Sequence, residues 1–390
     1  MGDYFTVISL IVIGCGLLAW LTVVFRQPVI VAYFAAGLIL APALLRIEGE
    51  FVPTFVSISS RLGITLLLFM AGMVLHPDRI LKFFRTALLM TAAGALITWM
   101  LVFAVLYVWG VEPLQSHICG LATMFSSTIL VVKLLPTTTL HQRRMGALCI
   151  AILIAEDLLA VVLITLLRVG QAFGPDQPAA VAALPLKAVF LIVAAFLGER
   201  YVLRPMFRRA DRYPEVLIIL SLAWGLGAAA IAEKFGLSAE IGAFIGGVSL
   251  ARNKVAYVIA EQLKPLRDFF LMFFFFTLGL KLDLTHVGTA WMPALALGVL
   301  IVTLRPVYGS FLLRLAGEER AFSRETGLRL GQASEFGLIV SAVAMETGFL
   351  SSPVAAIIQI AIIVSMVLSS YVVTARLPTP LGPRPQLQLD

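Results

Sequence analysis

Residues Arg26–Pro42 read RQPVIVAYFAAGLILAP, and residues Gly236–Arg252 read GLSAEIGAFIGGVSLAR. The second stretch echoes the first, with Gly37 set against Gly247, 210 residues apart. A second echo follows in the same order. Leu62–Ile80 (LGITLLLFMAGMVLHPDRI) matches Leu266–Thr285 (LRDFFLMFFFFTLGLKLDLT), with Gly72 against Gly279 at 207 residues and Asp78 against Asp283 at 205. Adding 207 to Ser127 gives Ser334, and both serines sit in the middle of an apolar span. Three echoes at nearly one separation make an internal repeat.

The chain around these echoes is built for a bilayer. Of 390 residues, 60% are hydrophobic and 13% charged, against about 25% charged in a soluble domain. The mean hydropathy is +1.00. A helix crossing the hydrocarbon core needs about 20 mostly apolar residues, so the apolar content supplies about a dozen crossings. These figures exclude a soluble enzyme, a disulfide scaffold and a disordered regulator. Long unbroken apolar runs also exclude a β-barrel, whose strands alternate. The expected fold is an all-α polytopic membrane protein of about 13 transmembrane helices. The candidate spans are 4–25, 28–45, 55–75, 86–109, 115–136, 146–168, 185–204, 214–233, 237–251, 266–283, 290–313, 325–347 and 353–375.

On that count the repeated helices lie seven crossings apart. Seven is odd, so the two copies run through the membrane in opposite senses, which is the inverted-topology repeat of secondary transporters. The expected divisions are a first repeat over 1–183, a linker helix with a basic loop over 184–212, a second repeat over 213–376 and a short Pro-rich tail over 377–390 read as disordered. The net charge of +7 is explained by loop position rather than by nucleic acid. Twenty of the 29 Lys and Arg fall in loops on one side of the membrane and six on the other. The positive-inside rule then sets the N-terminus outside and the C-terminus in the cytoplasm of a cell (inner) membrane. Residues 4–25 lack a basic leader and a cleavage motif, so they read as a retained first helix. Cys15, Cys119 and Cys149 lie in or beside apolar runs and read as buried and inert. His76, His117, His141 and His286 lie near loops without metal-ligand spacing and read as solvated. Gly242 and Gly246 form a GxxxG, whose default reading is helix packing.

Ionisable residues inside spans carry the functional signal, because a charge near the bilayer centre costs several kcal/mol. Glu156 and Asp157 sit mid-span in AILIAEDLLAVVLI. Neighbouring residues on a helix point about 100° apart, so one of them faces a cavity and the other a partner group or a second edge of that cavity. Such a carboxylate can exchange a proton for a small cation; the plainer alternative is a carboxylate satisfied by neighbouring helices. Arg305, in ALGVLIVTLRPVYGSFLL, stays charged when buried and calls for an anion, with Asp157 or Glu156 as the candidate partner. It is read as a counter-ion released when a cation binds, or as one half of a permanent ion pair. Ser126, Ser127 and Thr128 interrupt the fifth span, and Gln332, Ala333, Ser334 and Glu335 interrupt the twelfth. These repeat-equivalent interruptions point to two broken helices at a transport site. Glu335 would offset converging positive helix ends, and hydroxyls and freed carbonyls would ligate a dehydrated cation. Lys133 either compensates the opposite half-helix ends or snorkels to the interface. No nucleophile–base pair, metal cluster or nucleotide-binding fingerprint is present in the sequence, so neither an enzyme nor a cofactor is expected.

The ordered set RQPVIVAYFAAGLILAP, LGITLLLFMAGM, SSTILVVKLL, AEDLLAVV, GLSAEIGAFIGG, PLRDFFLMFFFFTLGLKLDL and GQASEFGLIV resembles the membrane domain of the monovalent cation:proton antiporter-2 family, the Kef-type transporters. The resemblance covers about residues 20–375. It implies the sodium/proton antiporter-like fold, with two broken crossing helices, a dimerisation scaffold from spans one to three and eight to ten, and a moving core from spans four to six and eleven to thirteen. It further implies a homodimer that exchanges Na⁺ or K⁺ for H⁺ by an elevator-like alternating access. By that resemblance Asp157 is the shared cation and proton carrier, Ser127, Thr128 and Glu335 belong to the crossing, and Arg305 matches the basic residue of the eleventh helix. Glu156 departs from the family, where Asn, Gln or Asp is common, and leaves the coupling stoichiometry open. The alternatives are a sodium-coupled organic anion symporter, or a gated ion channel or non-transporting membrane sensor. The sequence departs from full-length Kef systems in the nucleotide-binding domain that follows their membrane part, so their gating is not carried over.

Overall fold

The computed structural model describes residues 4–25, 27–44, 51–74, 77–135, 144–172, 178–210, 212–251, 253, 255–282 and 284–379. In chain order the helices are α1 (Tyr4–Val24), α2 (Val29–Leu44), α3 (Phe51–Val74), α4 (Pro77–Val108), α5 (Pro113–Thr123), α6 (Thr128–Leu134), α7 (Arg144–Ala172) and α8 (Pro178–Gly198). A π-helical turn, Glu199–Leu203, leads into α9 (Arg204–Ala210). Then come α10 (Pro214–Lys234), α11 (Ala239–Leu250), α12 (Ala256–Lys281), α13 (Leu284–Leu315), α14 (Arg320–Arg329), α15 (Glu335–Glu346) and α16 (Ser352–Arg376).

Among the described residues, eight helices are long and apolar enough to cross a membrane. Two shorter apolar helices, Val29–Leu44 and Ala239–Leu250, are the two members of the first sequence echo. The long helices carry exposed apolar residues: Leu17 and Trp20 on α1, Val162 and Leu166 on α7 and Ile219 on α10 are all exposed, as lipid contact requires. Several helices begin well before the apolar span read from sequence. The fourth starts at Pro77 rather than 86 and α12 at Ala256 rather than 266. Their extra turns contain Lys82 and Arg85, and Glu261, Lys264 and Arg267. Those residues are too polar for a hydropathy window but compatible with helix.

The chain divides into two compact units. One comprises Met1–Val7, Ala43–Pro77 and Val161–Thr277; the other comprises Ile8–Pro42, Asp78–Ala160 and Leu278–Asp390. The second unit holds the segments that the family resemblance assigns to the core, except residues 161–168 of the sixth span, together with residues 8–42, which it assigns to the scaffold.

Each unit contains one half of a reciprocal pairing between the repeats. In the first, α3 packs on α11 backbone to backbone: a Cβ on Gly72 would run into the Phe244 carbonyl oxygen, and one on Gly247 into that of Phe69. In the second unit Gly279, the repeat mate of Gly72, presses on the Phe34 carbonyl and the Leu38 amide of α2. Small residues that let helix backbones touch are the main packing device where lipid removes the hydrophobic incentive. Three of the glycines that revealed the repeat, Gly72, Gly247 and Gly279, close these contacts. Gly242 serves the same end, lying against the backbone of Ala228 and Ala229 on α10.

The three cysteines are buried free thiols. His117 departs from its expected solvated loop. It lies in α5, half-buried and stacked on Phe103 with ring centroids 4.1 Å apart. His76 and His141 lie outside the described residues, as does the side chain of His286.

Candidate functional site: two broken helices and a carboxylate pair

Both polar interruptions break a helix. The helix α5 stops at Thr123 and α6 starts at Thr128; α14 stops at Arg329 and α15 starts at Glu335. Each second half is started by the repeat-equivalent serine. Ser127 accepts the Leu130 amide at 3.1 Å, and Ser334 accepts the Phe336 amide at 3.1 Å. A serine N-cap satisfies one of the donors that a helix start leaves unpaired, so the local sequence itself dictates where the second halves begin. A close approach joins the two segments, since a Cβ on Gly337 of α15 would strike the Ala122 carbonyl of α5.

Charges complement both kinds of helix end. At the starts, the Glu335 carboxylate accepts the Ile129 amide of α6 at 3.3 Å while standing in the first turn of α15. Negative charge at helix N-termini is favourable. At the ends stands Arg305. Its Nη1 donates to the carbonyls of Phe125 at 2.8 Å and Gln332 at 2.7 Å, and its Nη2 donates to that of Met124 at 2.8 Å. One guanidinium thus satisfies carbonyls beyond the C-terminal ends of α5 and α14. The expected direct ion pair is not formed: among the described residues no Arg305 nitrogen lies within 4.0 Å of a Glu156 or Asp157 oxygen. Ser126 stands between, accepting Arg305 Nη2 at 3.2 Å on its hydroxyl. The backbone carbonyls supply the negative partner that the sequence reading sought in a carboxylate. They are also engaged by Arg305, which puts the weight of any ion ligation on side-chain oxygens. The side chain of Lys133 lies outside the described residues.

The two adjacent carboxylates of α7 do different things. Glu156 is buried and tied to the first break: its Oε2 accepts the Ser126 amide at 2.6 Å, and its Oε1 accepts the Ser126 hydroxyl at 3.4 Å. Asp157 is only partly buried and meets the start of α6, where the Thr128 hydroxyl donates to Oδ1 at 3.2 Å or Oδ2 at 3.3 Å. So Ser126, Glu156 and Arg305 share one hydrogen-bonded set, Thr128 and Asp157 form a second, and Ser127, Ser334 and Glu335 hold the starts of the two second halves.

Three supports escaped the sequence reading. Tyr308, one turn after Arg305, accepts its Nε–H at 3.2 Å and shares a 2.5 Å bond with Thr98 of α4. The i,i+3 spacing to an intramembrane arginine was the available signal. Ser365 and Ser369 of α16 brace the second break, accepting the Ala333 amide and donating to the Gln332 side chain, each at 3.0 Å. Arg329, which had been placed inside a span, is buried and donates to the Leu134 carbonyl that ends α6 at 3.0 Å, to Pro378 at 2.9 Å and to Glu325.

Residues 7–377 match the family described as sodium/hydrogen exchanger, transmembrane. The chain belongs to that family. It is a family of cation:proton antiporters rather than enzymes. A relative named "Iron transporter MagA", from Paramagnetospirillum magneticum, is 27% identical over 94% of this chain and 84% of its own length. The "Glutathione-regulated potassium-efflux system protein KefC" of Klebsiella pneumoniae is 29% identical over 86% of this chain and 54% of its own. The chain therefore spans about half the length of this Kef relative. Among solved structures, the sodium proton antiporter of Methanocaldococcus jannaschii superposes with a TM-score of 0.71 at 16% identity, over 93% of this chain and 94% of that one. The sodium/proton antiporter-like fold is thereby shown. The Kef-type resemblance read from the seven motifs agrees with these findings.

Proposed function

We propose that this antiporter exchanges a monovalent cation, Na⁺ or K⁺, for H⁺, with Asp157 as the group that holds one or the other. The observation that supports this most is the contrast between the two α7 carboxylates. Glu156 is tied to the backbone of the break, whereas Asp157 is partly accessible and, among the described residues, bound to a single hydroxyl, that of Thr128. A carboxylate with one light partner can release it for a dehydrated cation, and the Thr128 hydroxyl can turn its lone pairs to the same ion. Either a proton or a cation on Asp157 relieves its burial as a bare charge, so the two compete for one site, and competition is the basis of exchange. Glu335 and Arg305 hold the broken helices in register around it.

In this reading the chain crosses the membrane thirteen times, with the N-terminus outside, and works as a homodimer by alternating access. The relative named for iron makes a divalent cation a necessary arm of the test. Among the described residues no group of three or more His, Cys, Asp or Glu could hold a metal ion.

Proteoliposomes with an internal pH dye, challenged with Na⁺, K⁺, Li⁺ and Fe²⁺ in turn at set membrane potentials, test the proposal. Proton movement driven by a monovalent cation is expected. Solute-driven uptake without proton release, uncoupled salt currents, or proton movement with Fe²⁺ alone would overturn it.

A further inference from the structure

We propose that Leu377–Thr379 is a strap which, with Arg329, fixes the far end of α6 and thereby sets the cation affinity of the Asp157–Thr128 position. The inference rests on the reading of that position given above and adds its regulation. Residues 377–379 follow α16 directly and are packed: Leu377 and Pro378 are half-buried, and Thr379 is fully buried.

The helix α6 has only seven residues, and isolated helices shorter than about 12–15 residues are marginal. Its placement is therefore set by what grips it. Val131, with Leu135 just past the helix end, packs against Cys149 and Leu153 of α7. The neighbouring face, Leu130 and Leu134, packs against Val373 in the last turn of α16 and Leu377 of the strap. The start of α6 is held by Ser127 and Glu335. The far end is held by Arg329, whose Nη1 donates to the Leu134 carbonyl at 3.0 Å and whose Nη2 donates to the Pro378 carbonyl at 2.9 Å. One guanidinium bolts the end of α6 to the strap.

Arg329 does not need those carbonyls as counter-charge. Its Nε and Nη2 reach Oε1 of Glu325, one turn back on α14, at 3.1 and 2.7 Å, so the buried charge is already paired. The rest of its planar fork spans two carbonyls from separate elements. The point charge of a lysine does not reproduce that span.

The grip bears on the cation position because Thr128 opens the same short helix. Its hydroxyl meets Asp157 at 3.2 and 3.3 Å, already longer than the usual O–H···O range of about 2.5–3.0 Å. From Thr128 to Leu134 the helix rises roughly 9 Å, so a tilt of about 6° moves Thr128 by about 1 Å. That is enough to lose the bond and the hydroxyl as a ligand. Displacing the strap thus weakens cation binding without touching the carboxylate that holds the ion. Arg329 is a positioning residue in this scheme.

The test measures cation:proton exchange against cation concentration in proteoliposomes of the full chain, with melting temperature as the check on folding. Arg329→Gln and Leu377→Ser should each raise the cation KM at least about fivefold and leave the maximal rate within about twofold of wild type. Arg329→Lys keeps the charge but not the span, and should behave as Arg329→Gln. In a Thr128→Val background neither substitution should raise KM by more than about twofold further, because both act through that hydroxyl. If Arg329→Gln does not fold, Leu377→Ser, which leaves every charge in place, carries the test with the same pattern. An unchanged KM in folded variants, a fall in maximal rate at constant KM, full additivity with Thr128→Val, or wild-type behaviour of Arg329→Lys would overturn the proposal. A wild-type KM in Thr128→Val itself would instead remove the Asp157–Thr128 reading, and the strap's role with it.

Discussion

Replacing Arg305 with methionine keeps the length of the side chain and removes its donors. Three carbonyl contacts of 2.7–2.8 Å are lost, to Met124, Phe125 and Gln332. A hydrogen bond to a charged group contributes about 1.5–3 kcal/mol, so the three together bound the effect at roughly 5–9 kcal/mol. Water reaching the freed carbonyls offsets part of this. We expect a loss of about 3–5 kcal/mol, since each buried acceptor left unsatisfied costs about 1–3 kcal/mol. The assay is equilibrium unfolding in mixed micelles, read by tryptophan fluorescence. A double-mutant cycle with Glu156→Gln separates the helix-end role from a counter-ion role. Arg305 and Glu156 share Ser126 without forming an ion pair, so the coupling should lie at the low end of the about 0.5–3 kcal/mol found within one network, and the double variant should recover only a minor part of the Arg305→Met loss. If Arg305→Met unfolds within about 1 kcal/mol of wild type, or Glu156→Gln restores most of the lost stability, then Arg305 is a counter-ion and the reasoning fails.

Gly247→Ala should prevent stable assembly, because its Cβ would overlap the Phe69 carbonyl of α3, whereas Gly227→Ala, with nothing within 4 Å, should be neutral or slightly stabilising; detergent-solubilised yield and melting temperature distinguish the two. Thr128→Val removes the one hydroxyl bonded to Asp157 among the described residues and should raise the cation KM about tenfold, equivalent to about 1.4 kcal/mol, while Thr128→Ser should stay near wild type in the same flux assay. Arg329→Met frees the Leu134 and Pro378 carbonyls together. Trypsin should then cut at the exposed Arg376 several-fold faster, and an unchanged rate would mean that Arg329 does not hold the segment.

The sequence carried the architecture because the repeat is written in residues with only one packing solution. Gly72, Gly247 and Gly279 stand where backbones touch, and an echo of glycines survives where surrounding apolar residues drift. Both breaks were legible for a similar reason, since Ser127 and Ser334 cap helix starts and a capping residue announces itself in an apolar run. Partnering was less legible. Arg305 reads as a charge in search of a charge, but half-helix ends present carbonyls that do the same work, and which carbonyls converge is decided only in three dimensions. The division of labour between Glu156 and Asp157 depends on the rotation of α7, so two adjacent letters gave no means of assigning the backbone anchor and the accessible carboxylate. Tyr308, Thr98, Ser365 and Ser369 passed as ordinary span residues, because a hydroxyl in a membrane helix usually bonds its own backbone.

The shared-carrier role of Asp157 is tested most directly by proton flux from cation-loaded proteoliposomes, with wild type and Asp157→Asn compared at equal reconstitution and with folding verified by melting temperature. The account predicts cation-driven proton movement in the wild type and at least a hundredfold loss in Asp157→Asn. A correctly folded Asp157→Asn protein that exchanges cation for proton at the wild-type rate would contradict it.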